Sequence, residues 1–327
     1  MSEKSPIIPQ LALSQVARDE VHLQFNFKND ISIPDFKKAL AKVWSAEVTG
    51  INDPTLQPRH KRAGDVGINV VGFRPEIWRD QFEGSIPDNL QSFTEDIVGV
   101  NGKIAPATQC DLWVWVTHIS PSSLYDSVAM IRKILDPFVT LVSEQVCFPY
   151  YNNVTFDGFA DGVANPGIFE APAVAIISDG EPGAGGITAL VQKWTMEVDK
   201  LKELHLHEAE KLYGREKLSS KELDPQPVNS HVSRNKLYRD GEEVDIVRRN
   251  ANYRNQNDMG IMFIGLSKDI TVTLGMLKQM YGVGDDGVKV TDRLIDFSTA
   301  LSSANYFIPS ITDLIARGIQ PVNQDDE

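Results

Sequence analysis

The 327-residue chain is poor in cysteine and in basic residues, and each shortage excludes a class of protein. Its 2 cysteines, Cys110 and Cys147, cannot build a disulfide framework, and no CxxC or CxxCH motif occurs. Lysine and arginine number 32 against 45 aspartates and glutamates, which gives a net charge of −13. Because phosphate contacts require clustered basic side chains, we expect no nucleic-acid partner. The scarcity of cysteine favours a reducing, cytoplasmic location.

Long apolar stretches and nucleotide-binding or serine-hydrolase motifs are missing as well. No apolar run approaches the roughly 20 residues that cross a bilayer, so we expect no membrane partner. The first residues lack the apolar region of a signal peptide. The glycine-rich segment 180–186 matches neither G-x-G-x-x-G nor the P-loop pattern, and no G-x-S-x-G occurs. With 42% hydrophobic residues, the chain is nevertheless long enough for one large core or two smaller ones.

The first half of the chain shows strand and helix patterns in the order β-α-β-β-α-β. The strand patterns, alternating or rich in β-forming residues, lie at 22–27, 66–73, 111–119 and, as a short strand, 147–151. A first helix begins near Pro34. The clearest helix carries an apolar stripe at 124, 128, 131, 135, 138 and 142, with a bend predicted at Pro137.

The second half repeats this order. Its predicted strands are 186–193, 244–248, 260–266 and 304–308, and its predicted helices run over 194–212 and 270–281. Two such units predict an α+β fold of two ferredoxin-like halves with antiparallel sheets. The predicted divisions are a poorly ordered lead-in at 1–18, halves at 19–152 and 153–315, and an acidic tail at 316–327.

Segment 156–167 is the most unusual stretch of the sequence, because Gly158 and Gly162 flank Asp161. Glycines at such positions allow close approach of the backbone or a positive φ. A simple turn between the halves, with Asp161 as a capping residue, is the alternative that composition alone favours.

Two further segments contain residues suited to a buried site. His231 lies in Asn229–Arg234, and a lone histidine is more often a hydrogen-bonded structural residue than a ligand. In a strand, Arg248 and Arg249 point to opposite faces. An inward arginine needs an anion or a carboxylate such as Asp161, whereas an exposed basic strand end needs neither.

These three segments, in this order, resemble the dye-decolorising peroxidases, most closely the compact bacterial B-type subgroup. Gly158-Phe-Ala-Asp-Gly162 matches the family's G-x-x-D-G signature, Asn229–Arg234 its proximal segment and Ile246–Asn250 its distal arginine segment. The resemblance extends over roughly residues 20–312. It implies a haem pocket in the C-terminal half that holds one non-covalent haem b per chain, and the lack of CxxCH agrees with this.

The resemblance implies that His231 is the axial ligand of the haem iron. A neutral imidazole on iron needs its other nitrogen held by a hydrogen bond, ideally to a carboxylate. We expect Asp296 to be this partner, with Asp292 as the alternative.

The remaining site residues are also carried over from the resemblance. Asp161 is expected over the opposite haem face, where it moves the peroxide proton. Arg248 is expected to stabilise the departing oxygen, and Asn250 to hold water or peroxide. The predicted cofactor contacts besides His231 are Gly162, Arg248, Phe263 and Phe307.

The resemblance implies an enzyme that reduces hydrogen peroxide to water through a ferryl intermediate and oxidises aromatic, phenolic or dye substrates by one-electron steps. By analogy with the subgroup, we expect a homo-oligomer, a dimer. The alternative is a haem-handling protein that carries haem or releases its iron, which would need only His231 and an apolar pocket. A haem-free ferredoxin-like interaction module is a third hypothesis, and the absorption spectrum distinguishes it.

Overall fold

The strands and helices of the first half lie in the predicted order in the computed structural model, which describes residues 7–14, 19–45, 67–151 and 153–321. Its strands are β1 (Asp19–Phe27), β2 (Gly67–Phe73), β3 (Ile97–Val98), β4 (Ile104–Ala105), β5 (Leu112–His118) and β6 (Val139–Cys147). Its helices are α1 (Ile33–Lys42), α2 (Pro75–Gln81) and α3 (Pro121–Leu135). A short 3-10 helix at Leu11–Leu13 precedes them.

The second half adds six strands and six α-helices among the described residues. The strands are β7 (Ile187–Met196), β8 (Leu237–Arg239), β9 (Glu242–Val244), β10 (Val247–Arg254), β11 (Met259–Ser267) and β12 (Ser298–Ile308). The helices are α4 (Ala171–Ala175), α5 (Val198–Glu203), α6 (Leu206–Tyr213), α7 (His231–Arg234), α8 (Ile270–Met280) and α9 (Ile311–Ala316). A 3-10 helix spans Arg293–Asp296. No described helix is long and apolar enough to cross a membrane.

Eight of the strands form one antiparallel sheet in the order β10-β11-β7-β12-β2-β5-β1-β6. Each half contributes four strands to this sheet. When the four are numbered in chain order, their order across the sheet is 2-3-1-4, as β10-β11-β7-β12 in the C-terminal half and β2-β5-β1-β6 in the N-terminal half. This is the ferredoxin-like order, so the predicted fold class is confirmed. The two four-stranded halves join edge to edge where Phe307 of β12 pairs with Phe73 of β2.

Apolar clusters cover both faces of this sheet. On β2, Val71 and Phe73 point into a cluster that includes Phe36 of α1 and Ile131 of α3. The alternate residue Val70 points into a second cluster, to which both halves contribute. The end strands also meet, since Phe148 and Asn252 exchange backbone hydrogen bonds of 2.8 and 3.2 Å. The sheet therefore curves so that the segment directly after β6 lies against β10.

Two predictions for the end of the first half are wrong. Helix α3 ends at Leu135 rather than bending at Pro137 and continuing to Val142. Proline has no N–H for a helical hydrogen bond, and the chain turns there into β6. The short strand predicted at 147–151 is therefore replaced by the longer strand that ends at Cys147.

The predicted helix over 194–212 is also wrong in part. Residues 194–196 belong to β7, and the helical part divides into α5 and α6, with Leu204 and His205 in extended conformation between them. The strand predicted at 244–248 begins at Val247 and continues to Arg254.

The lead-in predicted to be poorly ordered packs in part against the sheet. Gln10 is buried, and its Nε2 donates to the carbonyl oxygens of Val71 at 3.0 Å and Pro309 at 2.9 Å. Residues 1–6 and 15–18 of the lead-in, residue 66 of a predicted strand and residues 322–327 of the tail lie outside the described residues.

Candidate active site

A cavity in the C-terminal half brings the three predicted segments together. Its apolar lining comes from strands β7 and β11 and helix α8, and includes Leu190, Trp194, Ile261, Phe263, Met276 and Leu277. Its polar lining includes Asp161, His231, Arg248 and Asn250. Because these four residues come from a loop, a short helix and an edge strand, the fold alone makes them neighbours.

His231 begins helix α7, which is capped by the Ser230 hydroxyl accepting from the Ser233 N–H at 3.2 Å. The Nδ1 atom of His231 lies 2.6 Å from Oδ2 of Asp292, whose carboxylate is fully buried. The other oxygen of Asp292 accepts from the Leu294 N–H at 2.8 Å. When Nδ1–H is donated to this carboxylate, Nε2 keeps its lone pair and can bind a metal.

The prediction that Asp296 holds His231 is wrong, and the alternative, Asp292, is the observed partner. Asp296 is 56% exposed and its Oδ1 lies 3.6 Å from Nζ of Lys103. The two aspartates bracket the 3-10 helix, where Asp292 is the N-cap and turns its side chain inward. Spacing alone could not decide between two carboxylates in the same short turn.

The Asp161 carboxylate is held by neutral hydrogen-bond donors. Asn250 Nδ2 lies 3.0 Å from Oδ1 and 3.2 Å from Oδ2 of Asp161, and the Gly162 N–H donates to Oδ1 at 2.7 Å. Gly162 adopts a φ of 72°, which explains the glycine after the aspartate. Asn250 Oδ1 is buried and has no hydrogen-bond partner among the described residues. A buried acceptor of this kind points to a missing ligand or water.

Arg248 points into the same cavity from β10. Its Nη1 donates to the Ala164 carbonyl oxygen at 3.3 Å, and its Nη2 lies 3.8 Å from Sδ of Met276. Burial lowers the pKa of the guanidinium, while the carboxylates of Asp245, Asp161 and Glu243 act in the opposite direction. Because arginine stays charged even so, the cavity contains a cation bonded to neutral acceptors.

The alternation predicted for β10 is observed. Arg249 leaves the strand on the other side, and its Nη2 donates to the Leu13 carbonyl oxygen at 2.9 Å. Gly162 and Phe263, which the sequence predicts to contact the cofactor, line the cavity.

Phe307 is not placed for the cofactor contact that the sequence predicts. It is fully buried in the core, and its ring centroid lies 6.3 Å from that of Trp78. The prediction is wrong because Phe307 lies at the end of β12 that adjoins the N-terminal half, where it pairs with Phe73.

An ion-pair network on the cavity wall was not anticipated. Arg215 Nη2 lies 2.9 Å from Oε1 of Glu222, and Lys236 Nζ lies 2.7 Å from Oε2 of the same residue. The hydrogen bond that Lys236 donates to Glu222 raises the pKa of Lys236. Burial acts to raise the pKa of Glu222, but Lys236 and Arg215 outweigh it and lower that pKa. These residues lie in irregular segments, where no periodicity indicates a common site.

Comparison with known proteins agrees with this geometry. Residues 152–313 match the family model described as Dyp-type peroxidase, C-terminal. A dye-decolorizing peroxidase of Mycobacterium tuberculosis is 33% identical over 280 residues, which cover 84% of this chain and 80% of the relative.

Two solved structures extend the likeness to nearly the whole fold. A variant of DypB from Rhodococcus jostii in complex with heme has a TM-score of 0.79 at 30% identity, covering 95% of this chain and 98% of that chain. The encapsulated DyP-type peroxidase from Mycobacterium smegmatis has a TM-score of 0.83 at 28% identity, covering 94% and 98%. By sequence identity, coverage and fold, the chain belongs to the dye-decolorising peroxidase family.

Proposed function

We propose that the chain is a haem-dependent peroxidase in which His231 binds the iron and Asp161, Arg248 and Asn250 act on hydrogen peroxide. One observation carries this proposal: a histidine oriented by a buried carboxylate shares a cavity with a carboxylate, an amide and a partly buried cation. The family assignment supports the same reaction class. The roles of the individual residues are our inference from the geometry.

The cavity fits haem in three respects. Its walls of aromatic and aliphatic side chains suit a porphyrin. No group of three or more His, Cys, Asp or Glu residues in the described chain could hold a metal ion. A metal on His231 therefore needs further ligands from outside the protein, and a porphyrin provides four. The unpaired Oδ1 of Asn250 leaves an acceptor for a ligand or water.

When bound, haem supplies a redox-active iron that takes two oxidising equivalents from peroxide and passes them on one electron at a time. In this proposal Asp161 takes the proton from one peroxide oxygen and returns it to the other, which leaves as water. The hydrogen bonds from Asn250 and Gly162 hold the Asp161 carboxylate in the orientation that this role requires. Arg248 stabilises the negative charge that develops on the leaving oxygen.

The Asp292 carboxylate fixes the ring of His231 and the tautomer that leaves Nε2 free. The Asn235 amide adds a hydrogen bond of 2.8 Å to the His231 carbonyl oxygen. Together they hold the start of α7 in one orientation.

A haem carrier is the less favoured function. It would require His231 and apolar walls, but it would have no use for the arrangement of Asp161, Asn250 and Arg248. The family assignment likewise disfavours a haem-free interaction module.

We further propose aromatic, phenolic or dye-like electron donors as reducing substrates, because the relatives are named for dyes, which are aromatic molecules. A cytoplasmic location follows from the scarcity of cysteine. A homodimer remains a prediction by analogy with the subgroup.

The test compares Arg248→Leu with Arg249→Leu, its neighbour on the other face of β10. Stopped-flow mixing of haem-loaded protein with peroxide measures the first spectral change. Arg248→Leu should keep its haem and slow this step by about 10²-fold, the usual effect of removing one charge-stabilising donor. Arg249→Leu should react like the parent. Equal rates for the parent and Arg248→Leu would contradict the proposal.

A further inference from the structure

We propose that Asn165 is a positioning residue that aligns Arg248 and Asp161 by taking the place of a neighbouring strand along the outer edge of β10. The proposal rests on the proposed function only where it assigns Arg248 and Asp161 to peroxide chemistry. The hydrogen-bond geometry itself stands independently.

Strand β10 lies at one end of the sheet. One side pairs with β11, where Arg248 is opposite Gly265 and Asn250 is opposite Phe263. In an antiparallel strand the backbone groups of alternate residues point to the same side. At the other side, the backbone of Asn252 pairs with Phe148, so Arg248, four residues earlier, presents its N–H and C=O to the same edge.

Asn165 satisfies both backbone groups of Arg248. The Arg248 N–H donates to Asn165 Oδ1 at 2.7 Å, and Asn165 Nδ2 donates to the Arg248 carbonyl oxygen at 3.0 Å. An adjacent antiparallel strand would supply this same pair of bonds with its own backbone. A carboxamide can reproduce it because it carries an acceptor and a donor in one plane.

The loop that carries Asp161 is therefore fastened to β10 at three alternate residues. Backbone bonds join Phe148 to Asn252, side-chain bonds join Asp161 to Asn250, and the Asn165 amide holds Arg248. Of these three connections, the one made by Asn165 lies nearest the start of β10.

Asn165 is also tied to the turn behind Asp161. Its N–H donates to the Gly162 carbonyl oxygen at 3.0 Å, and a Cβ on Gly162 would lie 3.2 Å from Asn165 Nδ2. Its chain neighbour Ala164 provides the carbonyl that accepts from the Arg248 guanidinium. Loss of the amide thus loosens the Arg248 backbone, its side-chain acceptor and the Asp161 turn together.

The expected effect is on alignment and not on chemistry, because both polar atoms of the Asn165 amide are used by the backbone of Arg248. A displacement of about 1 Å in a catalytic group costs up to about 10²-fold in rate. Asn165→Leu, which has similar volume and no hydrogen-bonding group, should therefore slow the peroxide step by roughly 10- to 100-fold.

The test is a double-mutant cycle of Asn165→Leu and Arg248→Leu, combined with hydrogen exchange on the cofactor-free protein. Asn255→Leu is the matched control, since Asn255 Oδ1 accepts from the N–H groups of Asn257 at 2.8 Å and Asp258 at 2.9 Å in the turn at the other end of β10. Should Asn165→Leu fail to fold, Asn165→Asp, which keeps the acceptor and loses the donor, replaces it in the same cycle.

We expect Asn165→Leu to speed exchange of the Arg248 amide by at least about tenfold, while the amides of β11 stay protected. Asn255→Leu should leave the Arg248 amide protected and the peroxide step unchanged. In the Arg248→Leu background, Asn165→Leu should slow the step by clearly less than it does in the parent, because only the alignment of Asp161 is then left to lose and coupled residues are not additive.

An additive cycle, or an Arg248 amide that remains protected in Asn165→Leu, would overturn the proposal. Failure of the proposed function looks different. In that case Arg248→Leu alone would leave the peroxide step unchanged, whereas the exchange experiment would still decide whether Asn165 holds the edge of β10.

Discussion

The two halves of the sheet share a strand order but differ in what joins their strands. In the N-terminal half, α1 and α3 contain 10 and 15 residues and fill their face of the sheet with buried apolar side chains. In the C-terminal half, the first connection consists of the short helices α5, α6 and α7 and the β8–β9 hairpin. The cavity lies where these short elements leave the sheet uncovered.

This comparison separates packing from chemistry. Leu124, Val128, Ile131 and Leu135 of α3 are all buried against the first half. Helix α8, its counterpart in the second half, also packs on the sheet, but Thr273, Met276 and Leu277 line the cavity. The same topology yields a solid core in one half and a cavity in the other, according to the length of the connecting helices.

The largest expected effect is loss of the cofactor from the second half. His231→Ala should abolish tight haem binding, because the described site offers the iron this one axial ligand. Titration of the purified protein with haem, followed by its absorption spectrum, measures this. His205→Ala, at the exposed start of α6, is the control and should bind haem like the parent. If His231→Ala still bound a full complement of haem, His231 would not be the iron ligand, and the assignment of the haem site to the cavity of the C-terminal half would lose its main support.

A second pair of substitutions should have opposite effects in core and cavity. Phe307→Ala should lower the free energy of unfolding by about 3–5 kcal/mol, the usual cost of removing a buried aromatic ring, and leave haem affinity intact. Phe263→Ala should lower stability less, since its ring is only partly buried, but should weaken haem binding. Denaturant unfolding and haem titration of both variants provide the check. If Phe307→Ala and Phe263→Ala changed stability and haem affinity to the same extent, the contrast between core and cavity would be contradicted.

Asp292→Asn should weaken haem binding or slow the peroxide step by about 10- to 100-fold, as is usual when the carboxylate behind a metal-bound histidine is lost. Asp296→Asn is the control and should have little effect, because this side chain is exposed. If Asp296→Asn caused the larger loss, the role of Asp292 as the carboxylate that orients His231 would be contradicted.

The smallest expected effect is a difference in how the N-caps of α3 and α8 stabilise the protein as the pH changes. Ser120 accepts from the Ser123 N–H at 3.4 Å, whereas Asp269 accepts from the Thr271 N–H at 2.9 Å and pairs with Arg239. Burial acts to raise the pKa of Asp269, but the hydrogen bonds from Arg239 and Thr271 outweigh it and lower that pKa. The stabilisation is therefore complete above the unfolded value of about 3.9 and disappears as the pH falls through the lower folded value.

Each cap should contribute about 1 kcal/mol near neutral pH. The loss in Asp269→Ala should shrink in acid, while that in Ser120→Ala should stay constant, as urea unfolding at pH 7 and pH 3 can measure. Parallel pH profiles would show that the two caps do not differ.

Periodicity predicted most strands and the start of α3, because burial imposes a spacing on each. It failed at the end of α3, since Phe138 and Val142 continue the helical spacing after Pro137 while the chain forms a strand. It could not choose Asp292 over Asp296, because inward and outward carboxylates in one short turn differ only in three dimensions.

Residue type also failed to separate Phe263 from Phe307. Both are aromatic residues in strands, and only the position of each along its strand decides between cavity and core. Asn165 gave no signal of its role because its partners are backbone atoms, which every residue possesses. The matching motifs identified Asp161, His231 and Arg248, and the folded chain added what holds them.

Strand β12 is an interior strand only because β2 lies beside it. A fragment limited to the C-terminal half would contain the complete cavity, yet it would present β12 as a bare edge with Phe307 uncovered. Such edges template pairing with other chains. By covering this edge, the N-terminal half protects the C-terminal half from aggregation. A shortened protein that consists of the C-terminal half alone would need another segment to cover β12.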